Sequence, residues 1–466
     1  MSETEQKNRA GTMKWWQLSL FGVACTIGTG YFLGSGIAME MGGGSVIFLF
    51  VLAAFCTYVV FDVLAKMTME DPQQGSFRSY AKKAFGRWAG FSSGWVYWSS
   101  ELLIMGSQLT ALSLFTRFWF PSVPMWIFAT CYAVLALGVI LLGTKAFERT
   151  EHLFAVVKIS AILMFLVIAA LALFGFIKGG AYQPKFPTTM ATFLPSGFLG
   201  SWSSFIFVFY AFGGIEIMGL MAMRLRQPEE VSKAGNVMII TLTCIYMASL
   251  VLALTLMPLH ALQGKESPFQ TALGSYHLPL VPHIFNAILI VAGFSTMVAS
   301  MFAITTILVS LAQDRDAPAL FSRTTKGKRK TPLPAIGFTT IGIAMAVVLA
   351  LLLPESLYEY VTTAAGIMLL YNWFFILLTS GRLLELTAWG KIKRSAGIVL
   401  ILLAVVGTAF HATSRPGFWI SLLFIGLIGV VTLCMKLKWK KENKTGIPAF
   451  RPAGHSEKNR DREGAR

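Results

Sequence analysis

The chain has 466 residues, of which 55% are hydrophobic and 13% are charged, and its mean hydropathy is +0.65. A soluble protein of this size carries roughly 25% charged residues, so the composition excludes a soluble globular protein and indicates a surface covered mostly by lipid. The net charge of +17 does not indicate a nucleic-acid partner, because the basic residues lie in short segments between apolar runs and in the C-terminal tail.

Long apolar runs recur along the chain. About 20 apolar residues are enough for a helix to cross a hydrocarbon core of about 30 Å, and the runs predict an all-α polytopic membrane protein with about 12 transmembrane helices. The predicted spans, numbered 1 to 12 below, are 15–39, 44–65, 88–116, 122–143, 151–177, 196–222, 235–257, 281–312, 334–353, 358–381, 396–411 and 416–436.

The basic residues alternate from loop to loop. With the N-terminus inside, most of the 39 Lys and Arg residues fall in inner segments, as the positive-inside rule requires. The outer loops hold only Arg117, Lys178, Lys185, Lys265 and Arg415. We therefore expect a multi-pass protein of the cytoplasmic membrane with both termini in the cytosol. Residues 1–14 form its cytosolic N-terminal segment, and the polar tail 438–466 is expected to be disordered.

Two spans contain glycines at comparable places. Span 1 contains Thr26-Ile27-Gly28-Thr29-Gly30, and span 6 contains Tyr210-Ala211-Phe212-Gly213-Gly214. Glycine weakens a helix by about 1 kcal/mol relative to alanine, and unwinding there would free backbone groups that lipid cannot satisfy. The alternative is that these glycines only let helices pack closely.

Each glycine-containing span opens a block of five spans. A block with an odd number of spans reverses its orientation, so the pattern predicts two inverted repeats, 15–177 and 196–382, with a solute site near the membrane midplane. The N-terminal ends of half-helices suit a carboxylate, and free carbonyls at the opposite ends suit an ammonium group. A zwitterionic amino acid carries both charges.

Four motifs point to a family. They are Ile27 to Gly36, the set from Pro72 to Trp98, Phe207 to Gly214 with Glu216, and Ser267-Pro268-Phe269 with Asn286. Together they resemble the amino acid permeases of the amino acid–polyamine–organocation superfamily, specifically the bacterial amino acid transporter family, from about residue 15 to residue 380. The chain departs from the family pattern at Gln108, at Arg224-Leu225-Arg226 and at Ser295-Thr296-Met297-Val298.

The resemblance implies a LeuT-like fold with discontinuous helices 1 and 6 and two peripheral helices within 395–437. It also implies that backbone groups of the two glycine segments hold the substrate, with Phe212 as an aromatic gate. The candidate substrate-binding residues are Thr26, Ile27, Gly28, Thr29, Gly30, Tyr210, Ala211, Phe212 and Gly213.

Insertion of a charged side chain at the bilayer centre costs a free energy of roughly 2.5–3.5 kcal/mol. Charged residues inside the predicted spans therefore require a structural or functional explanation. In the proton-coupled permeases that the chain resembles, a lysine at the place of Lys158 lies beside the first helix, where sodium-coupled relatives hold an ion. A lysine whose ammonium group snorkels to the cytoplasmic face is the alternative. Glu216 is a candidate for gating or proton coupling, or an acid that holds the broken backbone.

Two residues of span 3 are candidates for lining the cavity. Glu101 favours a cationic or amine-bearing substrate, or is a buried acid paired with hydroxyl or backbone groups, and Gln108 lies two helical turns after it. The five cysteines lie in apolar segments and are expected to be buried thiols.

The sequence predicts a secondary transporter that imports amino acids by proton symport with alternating access. An amino acid or amine exchanger and a non-transporting amino acid sensor are the alternatives. The expected partners are the amino acid, the coupling proton and membrane lipid. We expect no metal and no cofactor, and the absence of a phosphate loop or nucleophile motif argues against an enzyme.

Overall fold

The computed structural model describes residues 13–73, 75–262, 267–276, 278, 280–325, 331–352 and 357–444, with the backbone alone at 349–352, 357 and 442–444. Residues 1–12 of the predicted N-terminal segment and 445–466 of the predicted tail lie outside these ranges. The prediction of disorder is wrong for residues 438–444, which continue the helix Arg415–Lys444. Within them the structure is helical, apart from turns, loops and a backbone bridge between Met13 and Leu225.

The α-helices follow the predicted spans in order. They are α1 (Trp15–Thr26), α2 (Ser35–Gly42), α3 (Val46–Glu70), α4 (Phe77–Phe85), α5 (Arg87–Arg117), α6 (Met125–Leu141), α7 (Thr144–Leu173), α8 (Met190–Phe193), α9 (Gly197–Tyr210), α10 (Ile215–Met221), α11 (Val231–Leu256), α12 (Pro268–Gly274), α13 (Val281–Gln313), α14 (Leu333–Leu352), α15 (Leu357–Leu383), α16 (Ala388–Gly407) and α17 (Arg415–Lys444). One helix or a pair of helices overlaps each predicted span.

Seven helical stretches of the described chain are long and apolar enough to cross a membrane, and two shorter apolar helices accompany them. Large apolar side chains are exposed on the bundle surface, for example Phe48, Val134, Ile341, Leu423 and Leu433. A soluble protein does not leave so many apolar side chains exposed. The structure is therefore that of a polytopic membrane protein.

The centre of the bundle is built around α5, which packs against α13 and α15, while α11 packs against α1 and α3. The two C-terminal helices pack on the outside, α16 against α9 and α3, and α17 against α15 and α5. The prediction that all five cysteines are buried is wrong for Cys131, Cys244 and Cys434, which are exposed on the surfaces of α6, α11 and α17. Hydrophobicity along the sequence does not tell a lipid-facing position from a buried one.

Span 1 is interrupted at Ile27 and Gly28. Helix α1 ends at Thr26, Ile27 takes an extended conformation with ψ of 103°, and a wider π-helical turn over Gly30–Gly34 leads into α2. Span 6 is interrupted between α9 and α10, where Gly214 has a positive φ of 110°. The two breaks predicted from the glycines are thus present, and each leaves two helix ends inside the bundle.

The segment Arg224-Leu225-Arg226, where the chain departs from the family pattern, forms backbone hydrogen bonds with the residues just before α1. The Met13 N–H donates to the carbonyl of Arg224 at 2.9 Å, and the Arg226 N–H donates to the carbonyl of Met13 at 2.9 Å. The Arg224 guanidinium also forms an ion pair with Glu148 of α7. This segment therefore joins the beginning of α1 to α7 and to the end of span 6.

A buried ion-pair cluster fixes α4 against the end of α13. Arg78 pairs with Asp316 at 2.9 Å, and both side chains are fully buried. Asp314 accepts a second contact from Arg78 at 2.8 Å, and Asp316 accepts one from Arg87 at 2.7 Å. Removal of one partner from such a buried pair leaves a desolvated charge.

We expect Asp316→Asn to destabilise the protein by about 3 kcal/mol, because it removes the buried carboxylate shared by Arg78 and Arg87 and leaves Arg78 with only the partly exposed Asp314 as a counter-charge. The matched control is Asp71→Asn, which removes the exposed pair with Lys83 and should cost less than about 1 kcal/mol. The melting temperatures of both purified variants in detergent test the difference. Equal shifts for the two variants would contradict a structural role for the cluster.

Candidate functional site

A small cavity lies between the two interrupted helices. Its lining includes six of the candidate substrate-binding residues, namely Thr26, Gly28, Thr29, Gly30, Tyr210 and Gly213, together with Glu101 and Gln108 of α5. The cavity volume is about 30 Å³, which holds one or two water molecules, whereas ligand pockets measure roughly 300 Å³ or more. The helices must therefore separate before a solute the size of an amino acid can enter.

A larger cleft of about 260 Å³ opens between the beginning of α7, α13 and the beginning of α14. The described residues that line it are apolar or hydroxyl-bearing except for the amide of Gln313, and none of them is charged. It lies away from both helix breaks, so size alone does not identify the site. The smaller cavity is the better candidate because it gathers the broken backbone and the buried polar groups.

Four buried polar atoms at this cavity have no hydrogen-bond partner among the described residues. They are the hydroxyls of Thr26, Thr29 and Tyr210 and the amide oxygen of Gln108. Buried polar groups are nearly always satisfied, and exceptions call for an explanation. A polar solute between the broken helices would provide the missing partners.

Two glycines at the cavity lie so close to neighbouring atoms that no side chain would fit there. A Cβ on Gly28 would lie 2.6 Å from the side chain of Thr296, and one on Gly30 would lie 2.8 Å from the carbonyl oxygen of Tyr210. Any side chain on Gly30 would therefore push the two broken segments apart. The contact between Gly30 and Tyr210 brings span 1 against span 6 at the level of both breaks.

Glu216 connects the break in span 6 to α15. The carboxylate is fully buried, and its Oε2 accepts a hydrogen bond from the backbone N–H of Gly214 at 3.1 Å. Its Oε1 accepts one from the indole N–H of Trp373. These contacts agree with an acid that holds the broken backbone, and a role in gating or proton coupling stays a prediction.

Lys158 lies on α7 beside the end of α1. Its side chain is fully buried, so the snorkelling alternative does not describe this structure. The Nζ donates to the carbonyl of Ala24 at 2.5 Å and to the hydroxyl of Ser295 at 2.9 Å. The ammonium group thus binds the last turn of α1, one turn before the break at Ile27.

Sequence reasoning missed Glu151, which completes this network. The hydroxyl of Ser295 donates to Oε2 of Glu151 at 2.6 Å, and Glu151 is fully buried. The predicted span 5 began at residue 151, whereas α7 begins at Thr144, so Glu151 lies two turns inside the helix. The available signal was its spacing of seven residues from Lys158, which places both side chains on one helix face.

Three candidate substrate-binding residues do not line the cavity. Ile27 is buried elsewhere in the core, and the carbonyl of Ala211 accepts a hydrogen bond from Tyr246 at 3.0 Å. The ring of Phe212 packs against Phe50 and Tyr246, with ring centroids 6.0 and 5.2 Å away. A gating movement of Phe212 stays a prediction.

Glu101 and Gln108 line the cavity from one face of α5. Glu101 is 2% exposed and its carboxyl group lies next to the hydroxyl of Ser300 on α13. Across the described chain, no group of three or more His, Cys, Asp or Glu side chains could hold a metal ion.

The chain is similar in sequence to known transport proteins. The family model described as amino acid permease matches residues 17–445. The chain is 51% identical to the uncharacterized transporter YcgH of Bacillus subtilis (strain 168) over 448 residues, which cover 96% of this chain and 100% of that protein. It is 29% identical to the aromatic amino acid transport protein AroP of Escherichia coli (strain K12) over 418 residues, 89% of this chain and 88% of that protein.

Proposed function

The chain belongs to the amino acid permease family, and from that premise we propose that it imports amino acids across the cytoplasmic membrane by proton symport. The proposed architecture is LeuT-like, with 12 membrane spans, of which 15–177 and 196–382 form the two inverted repeats and 395–437 the peripheral helices. Both termini are proposed to lie in the cytosol. The relatives named for a function are transporters, which supports a non-enzymatic role.

The observation that carries the proposal is that both helix breaks meet at one buried cavity. Helices α1 and α9 end at the cavity, and α10 and the π-helical turn begin there. The Ala211 carbonyl and the Gly214 N–H are already bound to Tyr246 and Glu216, so the electrostatic field of these helix ends, rather than those two groups, acts on the cavity. Helix C-terminal ends favour cations and N-terminal ends favour anions. The α-amino and α-carboxylate groups of an amino acid match these two kinds of helix end.

The closed cavity supports alternating access. Because about 30 Å³ is too small for an amino acid, the proposed cycle opens the cavity to one side of the membrane at a time. The segment around Arg224 ties down the start of α1 through Met13. Opening toward that end of α1 would require these contacts to break.

Lys158 supports the proposed coupling to protons. Its ammonium group holds the carbonyl of Ala24 in the last turn of α1 and the hydroxyl of Ser295 in α13. Loss of its proton would remove a charge-assisted bond between α7 and α1, which is roughly twice as strong as a neutral bond. The position of α1 and the proton on Lys158 are therefore coupled in the proposal.

The relatives from Escherichia coli are named for aromatic amino acids, which makes aromatic amino acids one candidate substrate class. The experiment that tests the function is uptake of single labelled amino acids into proteoliposomes with an imposed pH gradient. We expect saturable accumulation that an inward proton gradient drives and a protonophore collapses. Uptake that instead requires an amino acid inside the vesicles would identify an exchanger, and binding without uptake would identify a sensor.

A further inference from the structure

We propose that Glu101 makes this protein select amino acids with a positively charged side chain. The inference rests on the amino acid transport proposed above and adds the substrate class. It starts from a buried carboxylate at the cavity that no cation in the described ranges of the chain neutralises.

The charge of Glu101 has no opposite partner in the described part of the chain. The side chain is 2% exposed, and the charged group that acts on it is another carboxylate, that of Glu216. The nearby buried cation is the ammonium group of Lys158. It already donates hydrogen bonds to Ala24 and Ser295 and interacts electrostatically with the carboxylate of Glu151. A buried charge is stable only when it is paired or well solvated by hydrogen bonds. The hydroxyls of Ser300 and Tyr97 lie next to the Glu101 carboxyl group, but neither carries a positive charge, so a cation in the cavity would add the ion pair that Glu101 lacks.

The buried polar groups near Glu101 that lack a hydrogen-bond partner also favour a substrate group that donates hydrogen bonds. The amide oxygen of Gln108 is an acceptor, and the hydroxyls of Thr26, Thr29 and Tyr210 can each accept a hydrogen bond. An ammonium group has three donors and no acceptor, and a guanidinium has five donors. The cavity thus offers several acceptors and one carboxylate to a group that only donates.

An aromatic side chain fits this lining poorly. Ile104 and Ile217 are the purely aliphatic side chains that line the cavity, whereas Glu101, Gln108, Thr296 and Ser300 present polar atoms. An aromatic ring placed there would bury the Glu101 carboxylate without an opposite charge, which is costly. A lysine, arginine or ornithine side chain would instead pair with it.

Glu101 and Gln108 are well placed to act together. They are seven residues apart on α5, with Ile104 between them on the same face, as two helical turns require. Thr296 and Ser300 repeat this arrangement on α13 four residues apart. The two polar faces belong to the long helices α5 and α13 and not to the broken helices. In the proposal they contact the side chain of the substrate, while the helix breaks bind its α-amino and α-carboxylate groups.

The test compares labelled L-lysine with labelled L-norleucine, which has the same carbon chain without the side-chain amine. In proteoliposomes, the wild-type kcat/KM should favour lysine over norleucine by at least about tenfold, and Glu101→Gln should abolish that preference. Glu101→Asp should restore part of it, because it keeps the charge. The control is Glu70→Gln, the same chemical change at the exposed end of α3, which should leave the preference unchanged.

Two outcomes would overturn the inference. The first is a wild-type protein that transports phenylalanine but neither lysine, arginine nor ornithine. The second is an unchanged ratio of lysine to norleucine in Glu101→Gln. If that variant also loses proton-driven accumulation, the carboxylate is assigned to proton movement.

A failure of transport is separable from a failure of selectivity. If wild-type proteoliposomes take up no amino acid, binding of labelled lysine to the purified protein decides the matter. Lysine binding that Glu101→Gln abolishes would support the selectivity and reject the transport, while absence of lysine binding in the wild type would reject the selectivity as well.

Discussion

Replacing Lys158 with alanine should abolish proton-driven accumulation of the amino acid. We expect the steady-state ratio of internal to external substrate to fall to about 1, because a carrier without coupling can only equilibrate its solute. The physical reason is the loss of the bonds from Nζ to Ala24 and Ser295, which link α7 to the last turn of α1 and to α13. Accumulation against an imposed pH gradient in proteoliposomes is the measurement.

The single substitution also leaves Glu151 buried without its cation. Breaking a buried pair in this way costs roughly 3–5 kcal/mol, so a loss of activity alone would not separate coupling from folding. The double variant Lys158→Ala with Glu151→Gln removes both charges and should recover melting temperature without recovering accumulation. Normal proton-driven accumulation in that double variant would remove Lys158 from the mechanism.

Gly214→Ala should abolish uptake of every substrate, whatever the driving force. Gly214 has a φ of 110°, and a Cβ there would lie 2.7 Å from the carbonyl oxygen of Cys25. A left-handed conformation costs an L-residue roughly 1–2 kcal/mol, and the clash is with backbone that cannot rotate away. The two broken helices would have to move apart at the cavity.

A matched control for this variant is Gly429→Ala in α17, because nothing lies within 4 Å of a Cβ added there. Alanine in a helix interior is favoured over glycine by about 1 kcal/mol, so this variant should keep its expression and its uptake rate. Initial uptake rates of both variants, normalised to purified protein, test the prediction. Wild-type rates in Gly214→Ala would mean that close contact between the breaks is dispensable.

The helical architecture was predictable because a long apolar run can cross the lipid only as a helix, in which its backbone groups bond to one another. The errors lie at the helix ends, where charged residues continue a helix beyond its apolar part. Span 5 was predicted to begin at 151, yet α7 begins at Thr144, and span 11 was predicted to begin at 396, yet α16 begins at Ala388. Hydrophobicity alone cannot place these ends.

The breaks were predictable from glycine, but their conformations were not. The sequence does not distinguish the extended Ile27 and the π-helical turn over Gly30–Gly34 from a simple kink. Tertiary contact selects among them, for example the approach of Gly30 to Tyr210. For the same reason, the sequence could not tell that Thr29 faces the cavity while Phe212 packs against Phe50 and Tyr246, because side-chain direction depends on the rotation of each half-helix.

The central claim is that the two breaks bind the α-amino and α-carboxylate groups of one amino acid, and competition by analogues tests it most directly. The transported amino acid would be compared with its decarboxylated amine and with its deaminated acid as competitors of labelled uptake. Each analogue lacks charge-assisted hydrogen bonds worth about 1.5–3 kcal/mol apiece, so each should inhibit at least roughly tenfold more weakly. An analogue lacking either group that competes as well as the parent amino acid would contradict the account.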